Sequence, residues 1–122
     1  WIVVTTINKP TPTIQMLASL SEWNVVVIGD LKTPSDWHYP NCTYLDVDAQ
    51  LQLGYQTTKL LPFNAYSRKN IGYLYAIQHG AKTIYETDDD NELLIAKIIQ
   101  FPNEFEVLMY NAQPLDRTNF DV

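Results

Sequence analysis

The sequence predicts an α/β fold, a mostly parallel sheet wound in the Rossmann manner with helices on its faces. Three observations carry that expectation. Short apolar and β-branched runs alternate with segments of helical spacing, as successive βαβ units require. One of those runs, Val25-Val26-Val27-Ile28, is apolar throughout, which suits a parallel strand covered on both faces. Polar residues stand at the carboxyl ends of the predicted strands, at Thr5-Thr6, Asp30 and Asp88 to Asp90, the edge at which such sheets bind ligands.

The first strand is predicted over Trp1 to Ile7 and ends at Asn8-Lys9-Pro10-Thr11-Pro12, where two prolines forbid a continuing ladder. From Thr13, the spacing of Ile14, Leu17, Ala18 and Leu20 predicts a short helix, with Thr11 or Thr13 as its N-cap. A second strand over Asn24 to Ile28 stops at Gly29-Asp30, and Thr43-Tyr44-Leu45 reads as a third that ends in acids at Asp46 and Asp48. Ala49 to Leu61 is ambiguous, a short helix followed by a loop that Pro62 closes. The clearest helix runs from about Ala65 to His79, with Asn64 as its expected cap and Gly80 as a left-handed terminator. Thr83 to Thr87 is β-rich and delivers Asp88-Asp89-Asp90-Asn91 at its end. A further helix over Leu93 to Ile99 and a strand over Glu106 to Tyr110 complete the reading.

Composition narrows the function classes. The chain has 122 residues, 46% of them hydrophobic, enough to fill one core, and no run reaches the roughly 18 to 20 apolar residues that a membrane helix needs. A net charge of −6 argues against a nucleic-acid surface, because phosphate backbones are held by clustered Lys and Arg. The single cysteine, Cys42, excludes an internal disulfide, and it lies in Asn41-Cys42-Thr43, formally an N-glycosylation acceptor, though such triplets arise often by chance and Asn41 reads first as a loop Asn ahead of a strand. The chain begins at Trp1 without a methionine, so residues 1–122 are expected to be a single domain excerpted from a longer protein.

Glu86-Thr87-Asp88-Asp89-Asp90-Asn91 is the strongest local signal, since adjacent carboxylates repel one another unless a cation or hydrogen-bond donors absorb the charge. Mg²⁺ or Mn²⁺ would do so with one or two carboxylates, leaving positions for water and substrate phosphates. Asp88 and Asp90 are the candidate metal ligands, and Asp88 and Asp89 also count as candidate nucleotide contacts. The competing reading is a solvated acidic turn that caps the next helix. An EF-hand loop fits poorly, because Leu93 stands where the turn glycine belongs and Ile99 where the final Glu belongs.

Arg68 and Lys69 place two cations near the start of the long helix, where its dipole disfavours positive charge. A bound nucleotide phosphate would relieve that conflict. Alternatively the two side chains extend to solvent or pair with Asp46 or Asp48. Asp30 stands where doubly wound folds recognise a ribose or base edge, or is an ordinary turn acid, and Thr5 and Thr6 could line the same nucleoside pocket. His38 and His79 lack partners for metal or nucleophile chemistry. Trp23, Trp37 and the eight tyrosines read as core and rim packing rather than as sugar platforms.

Trp1-Ile2-Val3-Val4-Thr5-Thr6-Ile7-Asn8, Val27-Ile28-Gly29-Asp30, Arg68-Lys69-Asn70-Ile71-Gly72-Tyr73-Leu74-Tyr75-Ala76-Ile77 and Ile84-Tyr85-Glu86-Thr87-Asp88-Asp89-Asp90-Asn91 together resemble the STELLO-type glycosyltransferases over nearly the whole chain. The resemblance implies the nucleotide-binding half of a GT-A-like domain, with an Asp-x-Asp metal site, Mn²⁺ or Mg²⁺ as cofactor and a nucleotide-sugar as donor; the donor is expected to be a UDP-sugar, and the acceptor is an unknown glycan or protein. In plants it further implies a Golgi membrane protein associated with a polysaccharide (cellulose) synthase complex. The alternative from another class is a catalytically inactive scaffold that keeps the fold and assists assembly of that synthase. The second half of a GT-A domain normally supplies the acceptor site and, in inverting enzymes, the general base, so no catalytic base can be named from this chain.

Overall fold

A computed structural model describes residues 1–90; the helix and strand expected over Leu93 to Ile99 and Glu106 to Tyr110 lie outside the described residues. The chain divides into two units, Trp1–Asn91 and Glu92–Val122, and the description concerns the first. It is an α/β layer with one four-stranded sheet, and every strand pair is parallel.

The strands are β1 (Ile2–Thr5), β2 (Val25–Ile28), β3 (Cys42–Leu45) and β4 (Tyr85–Asp88), in the spatial order β3-β2-β1-β4. The chain therefore winds outward from β1 to β3 and returns to the far side of β1, so the winding direction reverses between β1 and β4. Register aligns the carboxyl ends: Thr5 pairs with Ile28 on one side and with Asp88 on the other, and Ile28 pairs with Leu45.

Each strand is short because its flanks turn toward other partners. β1 stops at Thr5 rather than continuing to Ile7, since the Thr6 hydroxyl accepts from Asn8 N and turns the chain. Val3, Val26, Ile28 and Leu45 form one buried cluster with Ile71 and Ala76. The alternating residues Ile2, Val4, Val25 and Val27 face the opposite side and are equally buried, as a strand covered on both faces demands.

The first helix, α1 (Pro12–Ala18), is capped by Thr11, whose hydroxyl accepts from Ile14 N, with Pro12 in the first turn where its missing N–H costs nothing. Ala49 to Leu61 resolves into two short helices, α2 (Val47–Gln52) and α3 (Gln56–Leu60). Asp46 caps α2 by accepting from Ala49 N at 2.7 Å.

The long helix differs from its expected form. Asn64 is not its cap but sits in a left-handed turn at φ 55°, a conformation Asn tolerates. A 3-10 turn over Tyr66–Arg68 follows, and α4 (Lys69–Gln78) begins only at Lys69, without a side-chain cap. Gly80 does terminate it, at φ 86°. The helix α4 packs on β1 and β2 with Gly72 against the sheet, where a Cβ would collide with Val3 Cγ1 and stand 3.2 Å from Ile28 Cγ1. No helix among the described residues is long and apolar enough to cross a membrane.

Candidate functional site

The reversal between β1 and β4 opens a crevice beyond the carboxyl ends of the strands, and the structure has a cleft of about 370 Å³ there. Thr5, Thr6, Asp30, Arg68, Asp88, Asp89 and Asp90 all line it. Of the candidate residues, Lys69 alone does not, and it lines an adjoining cleft instead. Asn8, Lys32, Asn64 and Tyr66 also line the first cleft, and the sequence did not mark them as site residues.

The three aspartates have different environments although they are consecutive. Strand alternation points Thr87 inward and leaves Asp88 half-buried, and the turn that follows sends Asp89 in and Asp90 out. Asp89 is only 8% exposed. Its Oδ2 accepts from Thr6 Oγ1 at 2.5 Å and from Asn8 Nδ2 at 3.1 Å, while its main-chain oxygen accepts from the Thr11 hydroxyl at 2.5 Å. Asp89 thus ties the end of β4 to the end of β1 and to the α1 cap. The Thr6 hydroxyl is committed to that tie.

Asp88 Oδ1 accepts from Lys69 Nζ at 2.8 Å, and the same ammonium lies 3.9 Å from Glu86 Oε1. Asp90 is exposed at the cleft, with no hydrogen bond or ion pair among the described residues. The acidic run therefore offers one inward carboxylate that organises the turn, one paired with Lys69, and one open to solvent.

On the other side, Asp30 closes the end of β2. Its Oδ1 accepts from Leu31 N and its Oδ2 from Asn64 N, each at 2.7 Å, so it holds the left-handed turn before Arg68 in place. Thr33 reinforces this corner: its hydroxyl donates to Thr6 O at 2.7 Å and accepts from Asp30 N at 2.8 Å.

Arg68 does not extend to solvent, and neither it nor Lys69 pairs with Asp46 or Asp48, contrary to that alternative. Its residue is 1% exposed. Nη2 donates to Gln50 Oε1 at 2.5 Å, Nη1 to Leu61 O at 3.3 Å, and the guanidinium carbon lies 4.8 Å from the Phe63 ring centre. Its Nε has no partner, and no carboxylate neutralises the charge among the described residues. Gln50, fully buried on α2, supports the arrangement by donating to Gly29 O at 2.9 Å and Leu45 O at 2.8 Å. Sequence reasoning missed Gln50, and nothing in its local pattern distinguishes it from Gln52, which is exposed.

Cys42 is no nucleophile for this site: it lies on β3, does not line the cleft, and burial pushes its thiol up to about 11. His79 stacks on Tyr75 at the far end of α4 and its Nδ1 lies 2.7 Å from Tyr75 O, again outside the cleft.

No family model matches the chain. Among curated proteins it is similar to probable glycosyltransferase STELLO1 of Arabidopsis thaliana, 44% identical over 94 residues, and to probable glycosyltransferase STELLO2 of the same plant, 42% identical over 94 residues. In each case the match covers 77% of this chain and spans 12% of the relative's length. These similarities mean that the chain belongs to the STELLO-type family, and both of these relatives are named probable glycosyltransferases.

Proposed function

We propose that this chain is the donor-binding part of a glycosyltransferase, holding a UDP-sugar in the cleft between β1 and β4 through a divalent cation on Asp88 and Asp90. The single observation that carries the reading is the charge arrangement of that cleft. A buried guanidinium without a carboxylate partner lines it together with carboxylates that have unused oxygens. An uncompensated buried charge is costly, so a ligand that brings anionic oxygens to Arg68 is stabilised there. The same ligand cannot approach Asp88 and Asp90 unless a cation lies between. A nucleoside diphosphate with Mn²⁺ or Mg²⁺ meets both conditions.

The residues present fit such a cation. Asp88 and Asp90 supply hard oxygen ligands, and Asp90 is exposed to the cleft. Among the described residues no group of three or more His, Cys, Asp or Glu side chains is arranged to hold a metal, so the ion would draw the rest of its shell from water and the diphosphate. Held by Asp88 and Asp90, such a cation would supply charge neutralisation for the diphosphate leaving group. Thr5 and the Asp30 corner then flank the nucleoside, and Asp89 fixes the turn that presents its neighbours. The acceptor glycan or protein, the Golgi membrane setting and the link to a polysaccharide synthase belong to this same reading, and the acceptor and general base would come from outside these residues.

Calorimetric titration of the intact protein with UDP, with Mn²⁺ and again with chelator, tests it. Binding should strengthen at least tenfold with Mn²⁺, because the acidic run alone repels a diphosphate. Equal affinity in both conditions would sink the metal bridge. Metal-dependent UDP-sugar binding without turnover, in the presence of candidate acceptors, would favour the scaffold instead.

A further inference from the structure

Tyr66 and Tyr73, two of the eight tyrosines, meet in a second cleft that shares Tyr66 and Asp88 with the first. It is open, about 500 Å³, and its remaining walls are polar. Glu86 is exposed on β4, and its carboxylate makes only the 3.9 Å ion pair to Lys69 among the described residues. Asn70 stands on the first turn of α4 with its Nδ2 donating to Ser67 O at 2.8 Å, which leaves its carbonyl oxygen available. The Ser67 hydroxyl is buried and has no partner among the described residues. Lys69 Nζ lies between the two carboxylates and 5.5 Å from the Tyr66 ring centre, so the cation is held by the walls.

Three ligand classes can be weighed against those walls. A free phosphate meets two carboxylates and only one ammonium, already paired at 2.8 Å, so it is repelled. A wholly apolar ligand would strip water from Glu86 and Asp88 without replacing their hydrogen bonds. A neutral polyol with one apolar face suits these walls: its C–H face lies on a tyrosine ring, its hydroxyls donate to carboxylate and amide oxygens, and its own oxygens accept from the Lys69 ammonium.

We propose that this second cleft is a saccharide subsite that seats one pyranose ring next to the diphosphate cleft, with Tyr73 and Tyr66 as its aromatic walls and Glu86, Asp88 and Asn70 as acceptors for its hydroxyls. The subsite rests on the donor-binding reading for its neighbour but not for its own chemistry. The ring could belong to the donor sugar, reached from the diphosphate past the shared Asp88, or to an incoming glycan.

The experiment uses the intact protein with Mn²⁺ and four probes: UDP, UDP-glucose, UDP-N-acetylglucosamine and free methyl glucoside. If the ring is the donor's, at least one UDP-sugar should bind roughly 3- to 10-fold more tightly than UDP, and Tyr73→Ala should remove that advantage while leaving UDP affinity within about twofold. If the ring is a glycan's, methyl glucoside should show saturation-transfer NMR signals that Tyr73→Ala abolishes. Tyr73 also packs partly on the core, so Glu86→Gln serves as a second variant if Tyr73→Ala does not fold, with a smaller loss in the same direction expected. A folded variant that keeps both the UDP-sugar advantage and the glucoside signal, or a parent protein that shows neither, overturns the subsite. Failure of UDP itself to bind overturns the donor-binding reading and leaves the glucoside arm to decide the subsite.

Discussion

On the β2 side of the cleft, Arg68 and Gln50 are sealed at 1% and 0% exposure, and their polar atoms are joined in a chain that reaches the backbone of Gly29 and Leu45. On the β4 side, Asp90 stands in solvent and Asp88 shares one lysine with Glu86. The first side carries an excess of positive charge inside protein, the second an excess of negative charge facing water. Burial makes the first side rigid and costly to alter, because each lost partner leaves a polar group without water. Exposure makes the second side adaptable, since water satisfies whatever a ligand does not. Under the donor-binding proposal, the first side is a preformed wall for one end of the ligand and the second is the wall that gains most when a cation arrives.

The largest expected effect tests the sealed side. Gln50→Leu keeps the volume of the side chain but leaves the Arg68 guanidinium with only Leu61 O, and it removes a donor from both Gly29 O and Leu45 O. Breaking a buried charge's hydrogen-bonded partner typically costs about 3 to 5 kcal/mol. Urea unfolding of the two proteins should show a loss in that range. A loss below about 1 kcal/mol would mean that water reaches Arg68 and that the two sides do not differ in kind. The companion variant Arg68→Met keeps much of the volume and removes the charge but leaves the buried Gln50 Oε1 without its donor, so it should cost less than Gln50→Leu, about 1 to 3 kcal/mol, while weakening Mn²⁺-dependent UDP binding at least tenfold.

That contrast was only half legible in the sequence. The strands were, because a run such as Val25-Val26-Val27-Ile28 has no exposed alternative, and so was the convergence of Thr5, Asp30 and the acidic run, which follows from parallel winding alone. The exposed side of the cleft could be read because consecutive aspartates announce themselves. The sealed side could not. Arg68 looks like a surface cation until the 3-10 turn over Tyr66–Arg68 rotates it inward, and that turn exists because Asn64 takes a left-handed conformation rather than capping a continuous helix. Helices α2 and α3, of six and five residues, are too short for apolar periodicity to show. The Asp46 cap was the one available sign of α2.

A middle-sized effect belongs to the helix that carries Arg68 and Lys69 to their places. Gly72→Ala would put a Cβ onto Val3 Cγ1 and within 3.2 Å of Ile28 Cγ1, so α4 must lift from β1 and β2. Overpacking of this kind costs about 1 to 3 kcal/mol, offset by up to about 1 kcal/mol of helix propensity. Thermal unfolding should show a lowered midpoint. UDP affinity should fall as well, because lifting α4 moves the first residue after the 3-10 turn. An unchanged midpoint would show that the sheet and helix have room that the close approach of Gly72 denies.

Smaller again is the effect of Asp89→Asn. The substitution keeps an acceptor for the Thr6 hydroxyl and removes only the charge that strengthens its hydrogen bonds from Thr6 and Asn8. A loss of about 1 to 2 kcal/mol in urea unfolding is expected. The effect on Mn²⁺ affinity should be minor and indirect, through the turn that presents Asp88 and Asp90. If instead Asp89→Asn abolished Mn²⁺-dependent UDP binding at unchanged stability, the inward carboxylate would be a ligand and the division of labour along the acidic run would be wrong.

The smallest effect on stability is expected at Asp90, and it is the most informative for function. Asp90 is exposed and engages no group among the described residues, so Asp90→Asn removes no native contact there, and loss of its repulsion toward Asp88 is mildly favourable. Unfolding curves should coincide within about 0.5 kcal/mol, the usual range for a surface substitution. An exposed carboxylate without a partner among the described residues, at the mouth of a cleft whose opposite wall is a sealed cation, is the group that the donor-binding proposal assigns to the metal. Mn²⁺-dependent UDP binding should therefore fall by at least tenfold in Asp90→Asn, while binding measured in chelator stays where it was or improves, since one repulsive charge has gone. Asp88→Asn separates the two aspartates further, because it also releases Lys69 from its 2.8 Å partner and frees that ammonium toward the diphosphate. Its loss of metal-dependent binding should be the smaller of the two. If Asp90→Asn binds Mn²⁺ and UDP like the parent, the acidic run is a solvated turn and the exposed side of the cleft is not the metal-bearing wall.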